Sequence, residues 1–139
     1  MERIVISSSP PGGLDSLVDQ RFARCSYFTL VDVEDGEIVN VSVVPNQSTT
    51  VPHGAGIQAA QFVASLGAQV VITGNIGPNA FSSLQSLGIR VYAGVGGISV
   101  RDAVMKYLSG SLSPSTGPGR PGRGMGMGRG MGRGRGRVW

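Results

Sequence analysis

A single cysteine and a single histidine, Cys25 and His53, are the side chains of this sequence best suited to a soft or borderline metal. Arg21 and Arg24 stand just ahead of the cysteine. Three glycine-rich stretches follow: His53-Gly54-Ala55-Gly56, Thr73-Gly74-Asn75-Ile76-Gly77-Pro78 and Gly94-Val95-Gly96-Gly97. Loops of this kind that open helices present unpaired backbone N–H groups and the positive end of the helix dipole, which favour anions. The residue types together point to an anionic ligand contacted by Arg21, Arg24, Gly54, Gly56, Gly74, Asn75 and Gly77, with Cys25 and His53 as metal ligands. Each also has a plainer use. A lone loop histidine serves as a solvated or locally bonded residue, a lone cysteine at a strand start as a small buried apolar one, and Gly-Asn-Ile-Gly-Pro as a turn that glycine permits. Catalysis has less to work with. There is no Walker-type Gly-Lys-Ser/Thr, no Gly-x-Gly-x-x-Gly after the first apolar run, and no defensible Ser/His/Asp order. Asp15, Asp19 and Asp32 are scattered rather than paired. No enzyme is expected.

The elements around these residues are readable from period and punctuation. Arg3–Ser7 is a short apolar run and reads as a strand; Ser8–Arg24 reads as loop, with a helical turn near Leu14–Val18. Tyr27–Val33 and Ile38–Val44 are β-rich runs joined by Glu34-Asp35-Gly36-Glu37, a hairpin signal. Ala59, Phe62, Val63 and Leu66 fall on one helical stripe that Gly67 ends. Val70-Val71-Ile72 suits a strand buried on both faces. Pro78 opens a second helix, Ile89–Ala93 is a last strand, and Ser99 caps a third helix striped by Val100, Ala103, Val104 and Tyr107. The order β-β-β-α-β-α-β-α combines an antiparallel hairpin with a parallel half. It predicts an α/β domain with a mixed five-stranded sheet, order 3-2-1-4-5, and helices packed on it. The alternating Ile38–Val43 belongs at an edge. In this topology Cys25, His53, the glycine-rich loops and three helix starts share the rim at the carboxyl ends of the parallel strands, where open α/β sheets bind ligands.

Composition divides the chain. Of 139 residues, 23 are Gly and 8 are Pro, and the net charge is +4. Residues 1–112 hold six basic residues against eight acidic ones, a balance of −2, whereas 113–139 hold six arginines and no acid, +6. The second part repeats Gly-Arg-Gly-Met with little to bury before Val138 and Trp139, so 1–112 reads as the folded, cofactor-binding domain and 113–139 as a disordered Gly/Arg/Met-rich cationic tail. One cysteine excludes an intramolecular disulfide. No apolar run approaches the ~20 residues of a membrane span and the N-terminus lacks a signal-peptide layout, so no membrane association and a cytoplasmic location are expected.

Three motifs in order, Arg21-Phe22-Ala23-Arg24-Cys25-Ser26-Tyr27-Phe28, His53-Gly54-Ala55-Gly56-Ile57-Gln58-Ala59-Ala60 and Thr73-Gly74-Asn75-Ile76-Gly77-Pro78-Asn79-Ala80-Phe81, resemble the dinitrogenase iron–molybdenum cofactor biosynthesis family. This is the NifX/NafY type, also found as the C-terminal part of NifB, and stand-alone archaeal and bacterial members are especially similar. The resemblance covers about residues 1–110. It implies a ribonuclease-H-like fold and non-catalytic binding, carriage or storage of a metal–sulfur cluster or cofactor precursor, iron–sulfur or molybdenum-containing. It aligns the family's loop before the second strand with Arg21–Cys25 and its His-Gly-Ala-Gly loop with His53–Gly56.

Such a cargo suits the residues. Metal–sulfur clusters are anionic, thiolate and imidazole ligate them, and backbone N–H groups bond their sulfides. One Cys and one His leave most cluster positions unfilled, as in a carrier that releases its cargo to an acceptor after receiving it from a donor protein, or in a site shared between self-associated chains. The tail has its own candidate partners: nucleic acid, through phosphate contacts and guanidinium stacking, an acidic partner, or polyanionic inorganic clusters. The alternative function is therefore a nucleic-acid-binding or assembly module acting through the Gly-Arg tail. Because the third helix runs away from the rim, the tail is expected to leave from the opposite edge.

Overall fold

The structure, a computed structural model, describes residues 1–48 and 53–116. The expected disordered tail from residue 117 onward, and residues 49–52 of the loop before His53, lie outside the described residues.

Apolar runs and turn chemistry produce eight elements: β1 (Glu2–Ser8), β2 (Tyr27–Glu34), β3 (Glu37–Pro45), α1 (Ala55–Ser65), β4 (Val70–Ile72), α2 (Pro78–Ser86), β5 (Arg90–Tyr92) and α3 (Val100–Leu108). They form one mixed sheet of order β3-β2-β1-β4-β5, as the sequence predicts. β1 runs antiparallel to β2 and parallel to β4, and β4 runs parallel to β5. The β2–β3 hairpin turns on Asp35 and Gly36, whose φ angles of +54° and +78° match the right-handed twist of the strands it joins.

Each sheet face buries its own cluster. On one face Val5, Phe28, Leu30, Val71 and Val91 meet Ala59, Ala60 and Val63 of α1 and Ala80 and Leu84 of α2, with Phe22 and Cys25 of the loop before β2. On the other, Ile4, Ile6, Val31, Val70 and Ile72 meet Val100, Ala103 and Val104 of α3. The alternation along β1, β2 and β4 divides the residues between the faces. β3, mostly exposed, is an edge strand. At the end away from the rim, Arg3 clamps β1 to β2 through Asp32 (Nε–Oδ1 2.7 Å) and holds the end of α1 through the Leu66 carbonyl at 2.8 Å.

Two local expectations are corrected. Leu14–Val18 forms no helical turn: the Ser16 N–H bonds the Gly13 carbonyl, and Leu17 and Val18 then extend to bridge Ser99 and Ser8. In this extended stretch Val18 fills the α3-side cluster while Leu17 stays 52% exposed. The described residues that follow α3 also do not stay at the edge opposite the rim. α3 does run away from the rim, but Gly110 (φ +78°) reverses the chain and Leu112 packs on the α3-side cluster. Ser115 then takes up unpaired groups on the outer edge of β5: its N–H donates to Val91 O at 2.7 Å and its Oγ accepts from the Ala93 N–H at 2.9 Å.

Candidate functional site

The rim is assembled by the loop before β2. Phe22 anchors that loop, 2% exposed and 5.6 Å from the Phe28 ring, so Arg21 and Arg24 are carried to the surface on either side of a fixed point. Asn46 braces the same turn from beneath: its Nδ2 donates to the Ala23 and Cys25 carbonyls, each at 2.9 Å, and its Oδ1 accepts from Ser48 N–H. Buried Asp19 holds the entry to the loop. Its Oδ1 accepts from the Arg21 N–H at 2.8 Å and from Arg21 Nε at 3.3 Å.

β4 ends against this loop. Ser7 Oγ donates to Thr73 Oγ1 at 2.7 Å, the Gly74 N–H donates to Asp19 O at 3.1 Å, and Asn75 forms a single parallel bridge with Arg21. Gly74 is there because nothing larger fits. A Cβ at this position would lie 2.6 Å from Gln20 Cα and 3.0 Å from Asp19 O, both backbone atoms.

Two helix starts face one hollow beside Arg24. A cavity of about 280 Å³ is lined by Phe22, Ala23, Arg24, Ala55, Gly56, Gly77, Pro78, Asn79 and Ala80. α1 begins at Gly54 and α2 at Gly77; neither cap residue supplies a side-chain acceptor and neither first turn contains an acid. The first N–H groups of a helix have no intrahelical acceptor, so both starts offer donors and positive dipole ends to whatever occupies the hollow. α3 differs: Ser99 Oγ accepts from Asp102 N–H, the Val100 and Arg101 N–H groups bond Ser16 and Leu14 carbonyls, and Asp102 puts a carboxylate in the first turn. Of three expected helix starts, two are open. A second hollow, about 640 Å³, lies across Arg24 and is lined by Pro10, Arg21, Arg24, Ser26, Tyr27, Pro45 and Asn46.

The structure therefore gathers Arg24, Gly56 and Gly77 around one hollow, adds Arg21 beside the other, and ties Gly74 and Asn75 into the wall between β4 and the arginine loop. Gly54 caps α1, with exposed His53 immediately before it. Cys25 is brought under the rim rather than into it. It is fully buried, its Sγ donates to Phe22 O at 3.4 Å, and burial pushes its thiol up to about 12. In this conformation the side chain is a protonated, apolar filler, the plainer use stated above. Among the described residues, no group of three or more His, Cys, Asp or Glu side chains could hold a metal ion. The donor set of the rim is thus backbone N–H and guanidinium, which suits an anion held by its outer atoms. Asn79, Ala80 and Asn46 were not singled out from sequence. Pro78 at the helix start marks Asn79 and Ala80 as the next two N–H donors; the local bond of Asn46 to Ser48 N–H reads as an ordinary turn, and the carbonyls that give it its bracing role lie more than twenty residues away.

An α/β domain with two uncapped helix starts gathered at the carboxyl ends of its parallel strands is the class these features define. The chain belongs to the dinitrogenase iron–molybdenum cofactor family, whose sequence profile matches residues 2–110. The apo form of the orange protein of Desulfovibrio gigas is similar at 43% identity and a TM-score of 0.80, over 86% of this chain and 98% of that one. A Thermotoga protein described as a NifB candidate is 38% identical with a TM-score of 0.71, over 88% and 100% of the two chains. An uncharacterized protein of Methanocaldococcus jannaschii is 36% identical over 91 residues, 66% of this chain and 76% of its own. Membership links the chain to the biosynthesis or carriage of the iron–molybdenum cofactor. Among the described residues no helix is long and apolar enough to cross a membrane.

Proposed function

We propose that the protein binds and carries an anionic metal–sulfur cluster or cofactor precursor without transforming it, receiving it from a donor protein and passing it to an acceptor. One observation carries this reading: the uncapped, acid-free starts of α1 and α2 converge with Arg24 on a single hollow. N–H groups and guanidinium donors bond the sulfides at the edge of such a cargo, and none of them forms a metal–ligand bond that must break on release. His53, exposed beside the α1 cap, is the side chain available for imidazole ligation in this conformation, whereas Cys25 ligates only if the Phe22–Cys25 turn opens. Anaerobic incubation with iron and sulfide, or with thiomolybdate, tests the reading. Uptake with charge-transfer absorbance is expected, weakened at least tenfold by Arg24→Gln. Uptake unchanged by Arg24→Gln and His53→Ala together would exclude the assigned rim.

A further inference from the structure

The two edges of the sheet are treated differently. Ser115 takes up backbone groups on the outer side of β5. Among the described residues nothing pairs with the outer side of β3. The Asn46 N–H donates to Ser26 O at 3.0 Å, and Tyr27 stands opposite Pro45. By the alternation of an antiparallel ladder, Val44 and Ser42 therefore turn their N–H and C=O groups to β2, while Val43 and Val41 turn theirs outward. Pro45, which has no N–H to offer, and the bulge between Asp32 and Val33 bound this open window at its two ends. Glu37 is the one charged residue of β3 and lies outside the window, and Val39 and Val43 are 52% and 38% exposed. An edge without a charge to guard it is a template for another strand.

Charge says which strand. Where β3 begins, the turn Glu34-Asp35-Gly36-Glu37 carries three acids, all exposed, and none of them forms an ion pair among the described residues. Where β3 ends, Pro45 and Asn46 line the 640 Å³ hollow together with Arg21 and Arg24. Arg21 meets Asp19 through Nε, and its side chain is 62% exposed. An edge that is acidic at one end and basic at the other complements itself when reversed. A parallel copy would set acids on acids and arginines on arginines. An antiparallel copy, related by a two-fold axis at Ser42, matches Val41 of each chain to Val43 of the other, and each matched pair exchanges both of its backbone bonds. One strand spacing of ~4.8 Å then separates the two β3 strands. The acidic turn of each copy comes to lie beside the end of β3 where the other copy holds Arg21 and Arg24.

We infer that β3 is the surface through which two copies of this chain pair, antiparallel, with the acidic β2–β3 turn of each seated at the arginine hollow of the other. The inference goes beyond the proposed function and needs no cargo. Sedimentation velocity of the full chain without added metal or sulfide, up to about 1 mM protein and at about 20 and 200 mM salt, tests it. A monomer–dimer equilibrium that weakens with salt is expected. Three full-length variants assign it. Val41→Pro removes an outward N–H at an edge position where proline is tolerated, and should abolish the dimer. Glu34→Gln with Asp35→Asn and Glu37→Gln, in which Asn suits the left-handed turn position, should weaken it tenfold or more at low salt and flatten the salt dependence. Arg21→Gln, which touches the second hollow and not the one between the helix starts, should do the same. A parent that stays monomeric throughout overturns the inference. A dimer unchanged in a Val41→Pro variant that melts normally overturns strand pairing. If Val41→Pro does not fold, the two charge variants, on exposed side chains, decide. Loss with the acids neutralised but not with Arg21→Gln also overturns it, because the turn then meets some other cation. Each of these failures leaves the proposed function standing, since that is read from cargo uptake.

Discussion

Gly77→Asp should stabilise the protein and at the same time empty its site. Gly77 caps α2 with φ −78° and ψ 168°, the extended conformation in which Asp caps well, and a Cβ there meets no atom within 4 Å. The new carboxylate can accept from the Asn79 or Ala80 N–H, the donors Pro78 leaves available. Asp gains a few tenths of a kcal/mol over Gly as a cap, and a negative charge in the first turn adds about 0.3–1 kcal/mol through the helix dipole. The sum, about 1 kcal/mol, raises Tm by roughly 3–5 °C for a body of this size. The anion meets the opposite effect. A unit charge about 5 Å away at an effective dielectric near 20 repels by ~3 kcal/mol per charge. Half of that, after solvent screening, still exceeds the ~1.4 kcal/mol that corresponds to a tenfold loss of affinity. Calorimetry and a thiomolybdate titration at about 50 mM salt read the two signs separately. Gly77→Ser, a cap without charge, should give a smaller rise in Tm and a far smaller loss of binding. Undiminished affinity in Gly77→Asp would show that the anion does not sit at the start of α2, and a lower Tm would show that the cap geometry has been misread.

Other expectations follow from the same geometry. Cys25 should resist alkylation: a thiol near 12 is about one part in 10⁴ thiolate at pH 8, against roughly a quarter for an ordinary one, so labelling should be ~10³-fold slower or more, and fast stoichiometric labelling of native protein would contradict its burial. Gly74→Ala should cost about 1–3 kcal/mol in denaturant melts, because Gln20 Cα and Asp19 O are backbone atoms that must shift to admit the methyl; an unchanged midpoint would deny the close approach. The Arg3 guanidinium holds Asp32 below the usual carboxylate range, so the stability this pair adds is present above the unfolded pKa of about 3.9 and is lost as pH falls through the lower folded value. Asp32→Asn should therefore reduce stability at pH 7 and shrink the difference between pH 7 and pH 3, which melts at the two pH values will measure.

The sheet order was legible because the signals that set it are local. Asp35-Gly36 fixes the hairpin, Val70-Val71-Ile72 is too apolar for anything but an inner strand, and Pro78 and Ser99 mark helix starts on their own. The rim was legible as a location, since strand polarity places Arg24, Gly54 and Gly77 at one end. What could not be read depends on partners distant in sequence. Cys25 is buried by Asn46 and Phe28 as much as by its neighbours. Ser99 and Asp102 mark the start of α3 locally as different from the glycine-capped α1 and α2, but the Leu14 and Ser16 carbonyls that complete its closure lie more than eighty residues away. Ser115 returns to the rim because β5 leaves backbone groups unpaired, a demand no residue near Ser115 announces.

Where α1 and α2 begin, their backbones are separated by almost nothing. A Cβ on Gly56 would lie 3.1 Å from Ala80 Cβ and 3.3 Å from its nitrogen, so one methyl group and one missing side chain set the distance between the two dipole ends. The spacing of the two starts, which line one hollow beside Arg24, is therefore held by two small residues rather than by a hydrogen bond or an ion pair between them. A methyl group added at Gly56 would push the two helix starts apart by a few tenths of an ångström and move both sets of N–H groups with them.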